Sequence, residues 1–295
     1  MLFRSLPPFD YIEAATVGEA TEALAAAGGD AAVLAGGLQL LDDMKRGLKK
    51  PGTVVNLRRI AGLDQISGDT AGGLHIGATA TIRAAEKSAA VAGYQVLSEA
   101  LGMIHSIQVK NMGTVVGNVC TGTPASDILT ALIACDGELR VADGNGGRPL
   151  GLGVLCEGAK KTCLLSDDLV TEIAVPAAAP GTVGAYVNLS RTKNDIMKLG
   201  VAVTVTMGGD GAVADARIAI GAVAPTIFRP AAAENLLKGS RLDAGTIAAA
   251  AAAAYNDVGC CPIDDVRSTS AYRKEMVRVL VRRALTTAAA RAGRA

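Results

Sequence analysis

Two glycine-centred segments contain the residues of this chain that are best suited to binding a ligand. The first is AGGLQLL, residues 35–41, and the second is QVKNMGTVVGN, residues 108–118. Glycine permits positive φ and lets a ligand approach the main chain closely. Successive backbone N–H groups in such a turn form a concavity that binds anions. Two loops of this kind in one chain predict a clamp on an extended cofactor that carries phosphate.

Neither segment matches a common nucleotide-binding motif. The chain has no G-x-x-x-x-G-K-[ST] phosphate loop, and no G-x-G-x-x-G stands where a strand, turn and helix of a Rossmann fold would need it. These absences exclude P-loop and Rossmann interpretations. Either glycine segment taken alone is typical of a plain strand-to-helix turn, so the prediction of a clamp depends on the residues that follow the second one.

A cluster of small polar residues follows the second glycine segment. Thr121, Thr123, Ser126 and Asp127 come soon after Asn118, and the next residues, DILTALIA, predict a short helix. Ser126 or Asp127 is suited to cap that helix. One cap does not need the whole set, so the remaining hydroxyl, amide and carboxylate groups are available for phosphate, ribose or the edge of a flavin.

The hydrophobic pattern divides the chain into an alternating first part and a second part in which strands precede helices. Helices are predicted at 17–27, 41–48, 82–86, 95–103, from Asp127, and at 231–237, 244–258 and 270–291. Strands are predicted at 32–35, 53–56, 73–76, 138–142, 169–175, 185–190, 199–207 and 214–221. The Pro- and Gly-rich stretch at 176–184 is the predicted linker. Three strands followed by three helices predict an α+β second domain.

Several segments, in collinear order, resemble the flavoprotein subunits of molybdenum hydroxylases, the group that includes xanthine dehydrogenase and carbon monoxide dehydrogenase. AGGLQLL is similar to the AGGTDLL-type loop of that family, and QVKNMGTVVGNVCTGTPASD is similar to its QIRNxGTIGGNLxxxxPxxD segment. SRTKNDIMKLGVAV (190–203) resembles its R-x-x-x-DI-x-x-V strand. The segments at 217–243 and 262–285 resemble the signature of its C-terminal domain. The likeness runs from about residue 9 to about residue 285, nearly the full chain.

The resemblance implies an α+β protein with two domains. Residues 1–178 would form a two-lobed FAD-binding domain of the PCMH type, with lobes at about 1–57 and 58–178. Residues 183–290 would form an α+β C-terminal domain, a three-stranded sheet covered by helices.

The resemblance also implies a set of non-covalent FAD contacts. The first segment would wrap the diphosphate through its backbone, using Leu34, Ala35, Gly36, Gly37, Leu38, Gln39 and Leu40. The opposing side would come from Thr114, Gly117 and Asn118. Thr121 and Asp127 match positions that contact the flavin or the adenosine–ribityl chain, and Ile104 matches an apolar position near the ring. Asp195, Ile196 and Lys198 would lie on a second-domain strand that covers the ring, where Lys198 would favour a negatively charged reduced flavin. A solvated strand end is the alternative interpretation for Lys193 and Lys198.

Two residues depart from the pattern of the family. Leu38 stands where the family usually has a hydroxyl residue, and Val116 stands at the first glycine of the usual GGN. Leucine cannot donate to phosphate, so the backbone would have to supply that contact. The Cβ of Val116 would either narrow the approach to the diphosphate or point into the core.

No residues form a recognisable catalytic or metal-binding set. The two histidines, His75 and His105, stand apart, and there is no H-E-x-x-H motif. The six cysteines (Cys120, Cys135, Cys156, Cys163, Cys260 and Cys261) include no C-x-x-C pair, so we expect reduced thiols packed as small hydrophobic side chains. We therefore expect no catalytic acid–base residue and no metal ligand in this chain.

Composition excludes several classes of partner. A net charge of +1 provides no field to attract nucleic acid or a membrane surface, and 3% aromatic residues leave little for base stacking. No apolar run approaches the roughly 18 residues of a membrane span, and the N-terminus lacks the features of a signal peptide. We expect a cytoplasmic protein.

The function that the resemblance implies is electron transfer within a larger enzyme. FAD on this chain would take electrons from a small [2Fe–2S] subunit, which a large molybdopterin subunit supplies, and pass them to NAD or another acceptor. A dimer of heterotrimers is the expected assembly. Two alternatives stay open: a stand-alone FAD-dependent oxidase of the related fold, and a structural subunit without cofactor, which Leu38 and Val116 favour.

Overall fold

The computed structural model describes residues 5–143, 146–192 and 194–293. Its strands are β1 (Asp10–Glu13), β2 (Ala31–Leu34), β3 (Thr53–Asn56), β4 (Ile66–Asp69), β5 (Gly73–Gly77), β6 (Glu138–Ala142), β7 (Arg148–Gly151), β8 (Cys156–Gly158), β9 (Lys161–Thr162), β10 (Leu169–Val175), β11 (Thr182–Leu189), β12 (Leu199–Met207) and β13 (Val213–Gly221). Its helices are α1 (Val17–Ala26), α2 (Leu38–Lys45), α3 (Ile82–Lys87), α4 (Ala89–Ala92), α5 (Gln95–Gly102), α6 (Ile107–Met112), α7 (Val115–Cys120), α8 (Asp127–Ala134), α9 (Leu152–Leu155), α10 (Ala231–Leu237), α11 (Ala244–Asn256) and α12 (Ser270–Ala292).

The first lobe is a small parallel sheet with the strand order β1-β3-β2. Both outer strands pair with β3 in the parallel sense, and Asp10 and Ala31 both lie opposite Thr53. Parallel neighbours require a crossover, and α1 and α2 supply the two connections. The side chain of Thr16 caps α1 by accepting a hydrogen bond from the Glu19 N–H. This arrangement places the first glycine segment at the carboxyl end of β2.

The second lobe is built on a five-stranded antiparallel sheet with the order β4-β5-β10-β6-β7. Helix α7 packs on β5 and β10 of this sheet, and α8 packs on both α5 and α7. Every residue of α8 after Asp127 is buried, which explains why the DILTALIA segment is almost free of polar residues. Helix α8 contacts α5 and α7 within its own domain, and β12 and β13 of the following one. It therefore links the core of the second lobe to the next sheet.

The C-terminal domain is a three-stranded antiparallel sheet, β11-β12-β13, with α10, α11 and α12. The strand pairs run without a shift from Thr182 opposite Thr206 to Leu189 opposite Leu199. Helix α12 packs on β11 and β12, whereas α5 and α8 of the preceding domain also contact this sheet. Because both faces are covered, the first seven residues of β12 are buried in succession and the strand reads as a continuous apolar run.

The structure confirms the α+β architecture and corrects several predicted elements. Helix α2 begins at Leu38 rather than Leu41, because Gly37 turns the chain at its N-cap with φ of 76°. The second glycine segment is mostly helical, since α6 and α7 occupy it. The linker is shorter than 176–184, because Thr182–Leu189 forms the full length of β11 against β12. The pattern did not predict the short elements β1, β4, β7, β8, β9, α4 and α9.

Candidate functional site

The two glycine segments lie in backbone contact with each other. A Cβ added to Gly36 would lie 2.3 Å from the Met112 carbonyl oxygen and 3.1 Å from the Cα of Gly113. A side chain at residue 36 would therefore separate the segments, and only glycine allows this approach. The fold thus brings together two segments that the sequence places far apart.

The first segment leads into the N-terminus of α2. Gly37 is the N-cap of this helix, and among the residues that the structure describes no side-chain hydrogen bond caps it. The N–H groups of Leu38, Gln39 and Leu40 have no acceptor within the helix. Together with the helix dipole, such N–H groups favour an anion. The Gln39 amide donates to Asp43 Oδ1 at 2.9 Å, so it is the backbone of this turn that offers donors.

The second segment supplies the opposing wall through the start of α7. The Thr114 hydroxyl caps this helix by accepting a hydrogen bond from the Gly117 N–H at 3.0 Å. A Cβ on Gly117 would lie 2.6 Å from that hydroxyl oxygen, so a larger residue would displace the cap. Val116 is only 4% exposed and belongs to the hydrophobic core. Its side chain therefore points away from the space between the two segments.

Asn118 is held by the cap of the next helix. Its Oδ1 accepts a hydrogen bond from the Ser126 hydroxyl at 2.6 Å, and Ser126 in turn caps α8 by accepting from the Leu129 N–H at 3.0 Å. This leaves the Asn118 NH₂ group as a donor in a fixed orientation. The Thr121 hydroxyl donates to the Asn118 carbonyl oxygen at 2.6 Å. The Thr121 oxygen can therefore accept a hydrogen bond from a ligand but cannot donate one.

Asp127 joins the first domain to the sheet of the second. Its Oδ1 accepts hydrogen bonds from the Tyr186 hydroxyl at 2.7 Å and from the Asn188 amide at 2.8 Å. Burial raises the pKa of Asp127, although both hydrogen bonds and the nearby His105 oppose that rise. Burial and the adjacent carboxylate also hold the pKa of Tyr186 well above its usual range. Oδ2 is the carboxylate oxygen that these two donors leave for a ligand.

The residues expected to cover a flavin ring lie in a loop rather than on a strand. Asp195, Ile196 and Lys198 precede β12, in the connection between β11 and β12, because pairing of these strands stops at Leu189 and Leu199. The loop is closed by a hydrogen bond of 2.7 Å from the Lys198 N–H to the Leu189 carbonyl oxygen. Ile196 is 58% exposed.

Two charged side chains of this loop have partners. The Asp195 carboxylate binds Arg191 Nε at 2.5 Å, and this hydrogen bond lowers the pKa of Asp195. The Lys198 ammonium lies 5.8 Å from the centre of the Tyr272 ring. Lys193, in the same loop, lies outside the described residues.

These contacts form one continuous path through the candidate site. It runs from the first glycine segment to the second, through Asn118 and Ser126 to Asp127, and from Asp127 to Asn188 next to the β11–β12 loop. Ile104 packs against the hydrophobic core, and its neighbour His105 lies close enough to Asp127 to influence its pKa. The structure therefore connects the two glycine segments to Asp127 and Asn188 through a chain of contacts.

Sequence reasoning missed Tyr186 and Asn188. The two residues are two positions apart on β11, so their side chains lie on the same face of the strand. Both donate hydrogen bonds to Asp127. The Tyr186 N–H also donates to Glu99 Oε2 at 2.7 Å, and Arg291 of α12 binds the other carboxylate oxygen of Glu99. The sequence feature that could have indicated this role is the pair of polar side chains, two residues apart, in a mostly apolar strand.

Burial raises the pKa values of Cys120 and Cys135 to about 12, so both remain protonated thiols near neutral pH. Among residues 5–143, 146–192 and 194–293, no group of three or more His, Cys, Asp or Glu side chains could hold a metal ion. No helix in those ranges is both long and apolar enough to span a bilayer.

The donor set fits a dinucleotide with a diphosphate at its centre. Gly36 lets the backbones of the two segments meet, because a Cβ there would collide with Met112. The N–H groups in the first turn of α2 are suited to binding an anion. The Asn118 amide, Thr121 hydroxyl and Asp127 carboxylate then provide hydrogen-bonding groups suited to ribityl and ring positions. This combination fits FAD.

Two family models together match most of this chain. A family model described as the FAD binding domain in molybdopterin dehydrogenase matches residues 7–178, and one described as the CO dehydrogenase flavoprotein C-terminal domain matches residues 184–288. The carbon monoxide dehydrogenase medium chain of Hydrogenophaga pseudoflava is 34% identical over 288 residues, 97% of this chain and 98% of that protein.

A second relative and a solved structure give the same result. The 6-hydroxypseudooxynicotine dehydrogenase complex subunit alpha of Paenarthrobacter nicotinovorans is 32% identical over 289 residues, 97% of this chain and 96% of that protein. The structure of the H. pseudoflava carbon monoxide dehydrogenase that lacks the Mo-pyranopterin moiety aligns with a TM-score of 0.91 at 34% identity. That alignment covers 97% of this chain and 99% of the compared chain.

Proposed function

The chain belongs to the family of FAD-binding medium subunits of molybdenum hydroxylases, and from that premise we propose that it transfers electrons from a [2Fe–2S] subunit to NAD or another acceptor. FAD, when bound, supplies this redox chemistry by accepting and releasing electrons. The protein's own residues bind the cofactor, orient it and set the charge around it.

The observation that carries the proposal is the contact between the two glycine segments at Gly36 and Met112. We assign the diphosphate to the cradle formed by Ala35–Leu40 and the start of α7, with Leu34 and Thr114 at its edges. Backbone N–H groups of α2 meet the negative charge, while Gly36 and Gly117 keep the walls close. We propose that binding is non-covalent, because none of the residues assigned to the site is a His or Cys that could form a tether.

The remaining site residues contact the parts of the cofactor beyond the diphosphate. We assign the ribityl and ring positions to Asn118, Thr121 and Asp127, with Ile104 as an apolar neighbour. The β11–β12 loop, with Asp195, Ile196 and Lys198, closes over the ring. Lys198 adds positive charge on that side, which favours a reduced cofactor of negative charge.

The structural subunit without cofactor is the weaker alternative. Leu38 and Val116 are the residues that favour it. Val116 is buried in the core. Leu38 replaces a hydroxyl, but its N–H is in the uncapped first turn of α2, so the backbone can supply the missing contact.

Membership of this family supports a role in electron transfer rather than substrate chemistry. His75 lies on β5 and contacts Glu172 at 3.0 Å, whereas His105 lies close to Asp127, beside the position assigned to the flavin. Substrate oxidation then belongs to a large molybdopterin subunit, and a small [2Fe–2S] subunit connects the two centres. We propose a dimer of such heterotrimers.

Purification from the native source tests this assembly. The proposal predicts co-elution of this chain with a small iron–sulfur subunit and a large molybdenum subunit, at two copies of each, together with reduction of the bound flavin when the complex oxidises its substrate. A single flavin-containing chain that oxidises an organic substrate with oxygen, free of iron and molybdenum, would instead establish the stand-alone oxidase.

A further inference from the structure

The beginning of α12 reaches two segments that line the candidate site. Thr269 caps this helix by accepting a hydrogen bond from the Tyr272 N–H. The Tyr272 ring lies beneath the Lys198 ammonium of the β11–β12 loop. The next residue, Arg273, points the other way, toward the turn that follows β13. Both belong to the C-terminal signature, for which the electron-transfer function alone gives no role.

Arg273 is a buried cation with few partners. It is 3% exposed, its Nη2 binds Asp265 Oδ1 at 2.6 Å, and its Nη1 donates to the Ala222 carbonyl oxygen at 3.3 Å. Its Nε has no hydrogen-bond partner within the described part of the chain. Burial of a charged group with an unmet donor costs free energy.

Asp265 does not depend on Arg273 for neutralisation. Arg267 binds Asp265 Oδ2 through Nη2 at 2.5 Å and through Nε at 2.9 Å. The N–H groups of Arg267 and Ser268 also donate to Oδ1. Removal of the Arg273 charge would therefore leave Asp265 well paired. A buried arginine at this position is therefore not required to neutralise Asp265. Its remaining interaction, the hydrogen bond to the Ala222 carbonyl oxygen, indicates its role.

Ala222 connects Arg273 to the cofactor segment. It has φ of 65°, which an L residue adopts only at a cost in free energy. In this conformation its N–H donates to the Pro124 carbonyl oxygen at 2.8 Å. Pro124 lies between Thr121 and Asp127, both assigned to FAD. The hydrogen bond from Arg273 thus supports a strained turn whose other end holds the cofactor segment.

We propose that Arg273 is a positioning residue for FAD, which acts through Ala222 to fix the segment from Pro124 to Asp127. The inference rests on the proposed function, because that segment has no such role without a bound cofactor. It predicts that a neutral residue of similar length at position 273 weakens FAD binding and alters the environment of the ring, while the fold persists.

The test is FAD titration of the purified chain carrying Arg273→Met, with Arg278→Met as the matched control. Arg278 lies on the same helix, but its side chain is exposed and bonds Glu275. The hydrogen bond lost in Arg273→Met lies within the protein, so its energy is the upper limit of the effect on binding, and we expect the FAD dissociation constant to rise by up to roughly tenfold. We also expect a changed visible circular dichroism of bound flavin and a melting temperature of the apo chain close to wild type.

A second substitution distinguishes an effect transmitted through Ala222 from a general packing effect of the change at position 273. Glycine reaches positive φ without strain, so Ala222→Gly in the Arg273→Met background should restore most of the FAD affinity. Arg273→Lys, which keeps the charge but loses the forked geometry, should weaken binding severalfold and serves if Arg273→Met does not fold. Wild-type affinity and dichroism in the position 273 variants, or no rescue by Ala222→Gly, would overturn the inference. A wild-type chain that binds no FAD would refute the proposed function and the inference with it.

Discussion

Gly36→Ala is the substitution that tests the glycine cradle most sharply. The added Cβ would lie 2.3 Å from the Met112 carbonyl oxygen, whereas ordinary contact begins at 3.4 Å. The backbones must therefore separate by about 1.1 Å, the difference between the two distances. Hydrogen bonds form over a range of about 0.5 Å, from about 2.7 to 3.2 Å, so a shift of this size breaks at least one backbone contact to the diphosphate.

The expected cost falls on cofactor binding more than on folding. A hydrogen bond to a charged group contributes about 1.5–3 kcal/mol, which corresponds to a loss of roughly ten- to a hundredfold in FAD affinity. Crowding of a packed contact costs about 1–3 kcal/mol, less than the stability of about 5–15 kcal/mol typical of a folded domain. The apo chain should therefore remain folded.

The assay is fluorescence titration of the apo chain with FAD, paired with thermal melting of the same sample. Gly153→Ala is the matched control, because nothing lies within 4 Å of the Cβ that it adds. It should bind FAD as the wild type does. Wild-type affinity in Gly36→Ala would show that the contact between the segments is a structural turn and not part of a clamp.

Three further predictions follow from the same contacts. Thr114→Val removes the cap on α7 and should lower the free energy of unfolding by about 1 kcal/mol and reduce FAD content, measured by denaturant titration and absorbance; unchanged stability would contradict the cap. Asp127→Asn keeps an acceptor for Tyr186 and Asn188 but removes a carboxyl group whose pKa is raised above 3.8 by burial. Because the wild-type chain must ionise this buried group at higher pH, the variant should be more stable than the wild type only as pH rises through the raised pKa, and equally stable below pH 3.8. A gain in the free energy of unfolding that does not depend on pH in urea titrations would refute this reasoning. Maleimide should label the exposed Cys261 in the native chain but reach the buried Cys260 only after unfolding, with mass spectrometry as the readout.

The sequence predicted the bounds of several elements because their signals are local. Strands β3, β6, β10 and β12 and helix α10 have the predicted bounds, since each is an apolar or alternating run bounded by turn residues. The start of α2 was misplaced because residues 38–40 follow a glycine whose positive φ the pattern does not reveal. The helical character of residues 107–120 was hidden for a similar reason, since two short helices separated by Gly113 resemble a glycine-rich loop.

The site was predictable as a set of segments but not as a set of contacts. Motif order identified the residues around Gly36 and Asp127, whereas their partners depend on the packing between domains. Tyr186 binds Asp127 across 59 positions of sequence, a separation at which no local pattern operates. The position of Ile196 on a loop rather than a strand likewise depends on where β11 and β12 stop pairing.

The measurement that tests the central claim most directly is identification of the cofactor released from the purified chain by acid. The account predicts yellow protein that releases FAD on precipitation, at up to one per chain, because two glycine segments form a clamp long enough for a dinucleotide. Release of FMN, a flavin that stays with the precipitate, or protein that carries no flavin and binds none on titration would contradict it.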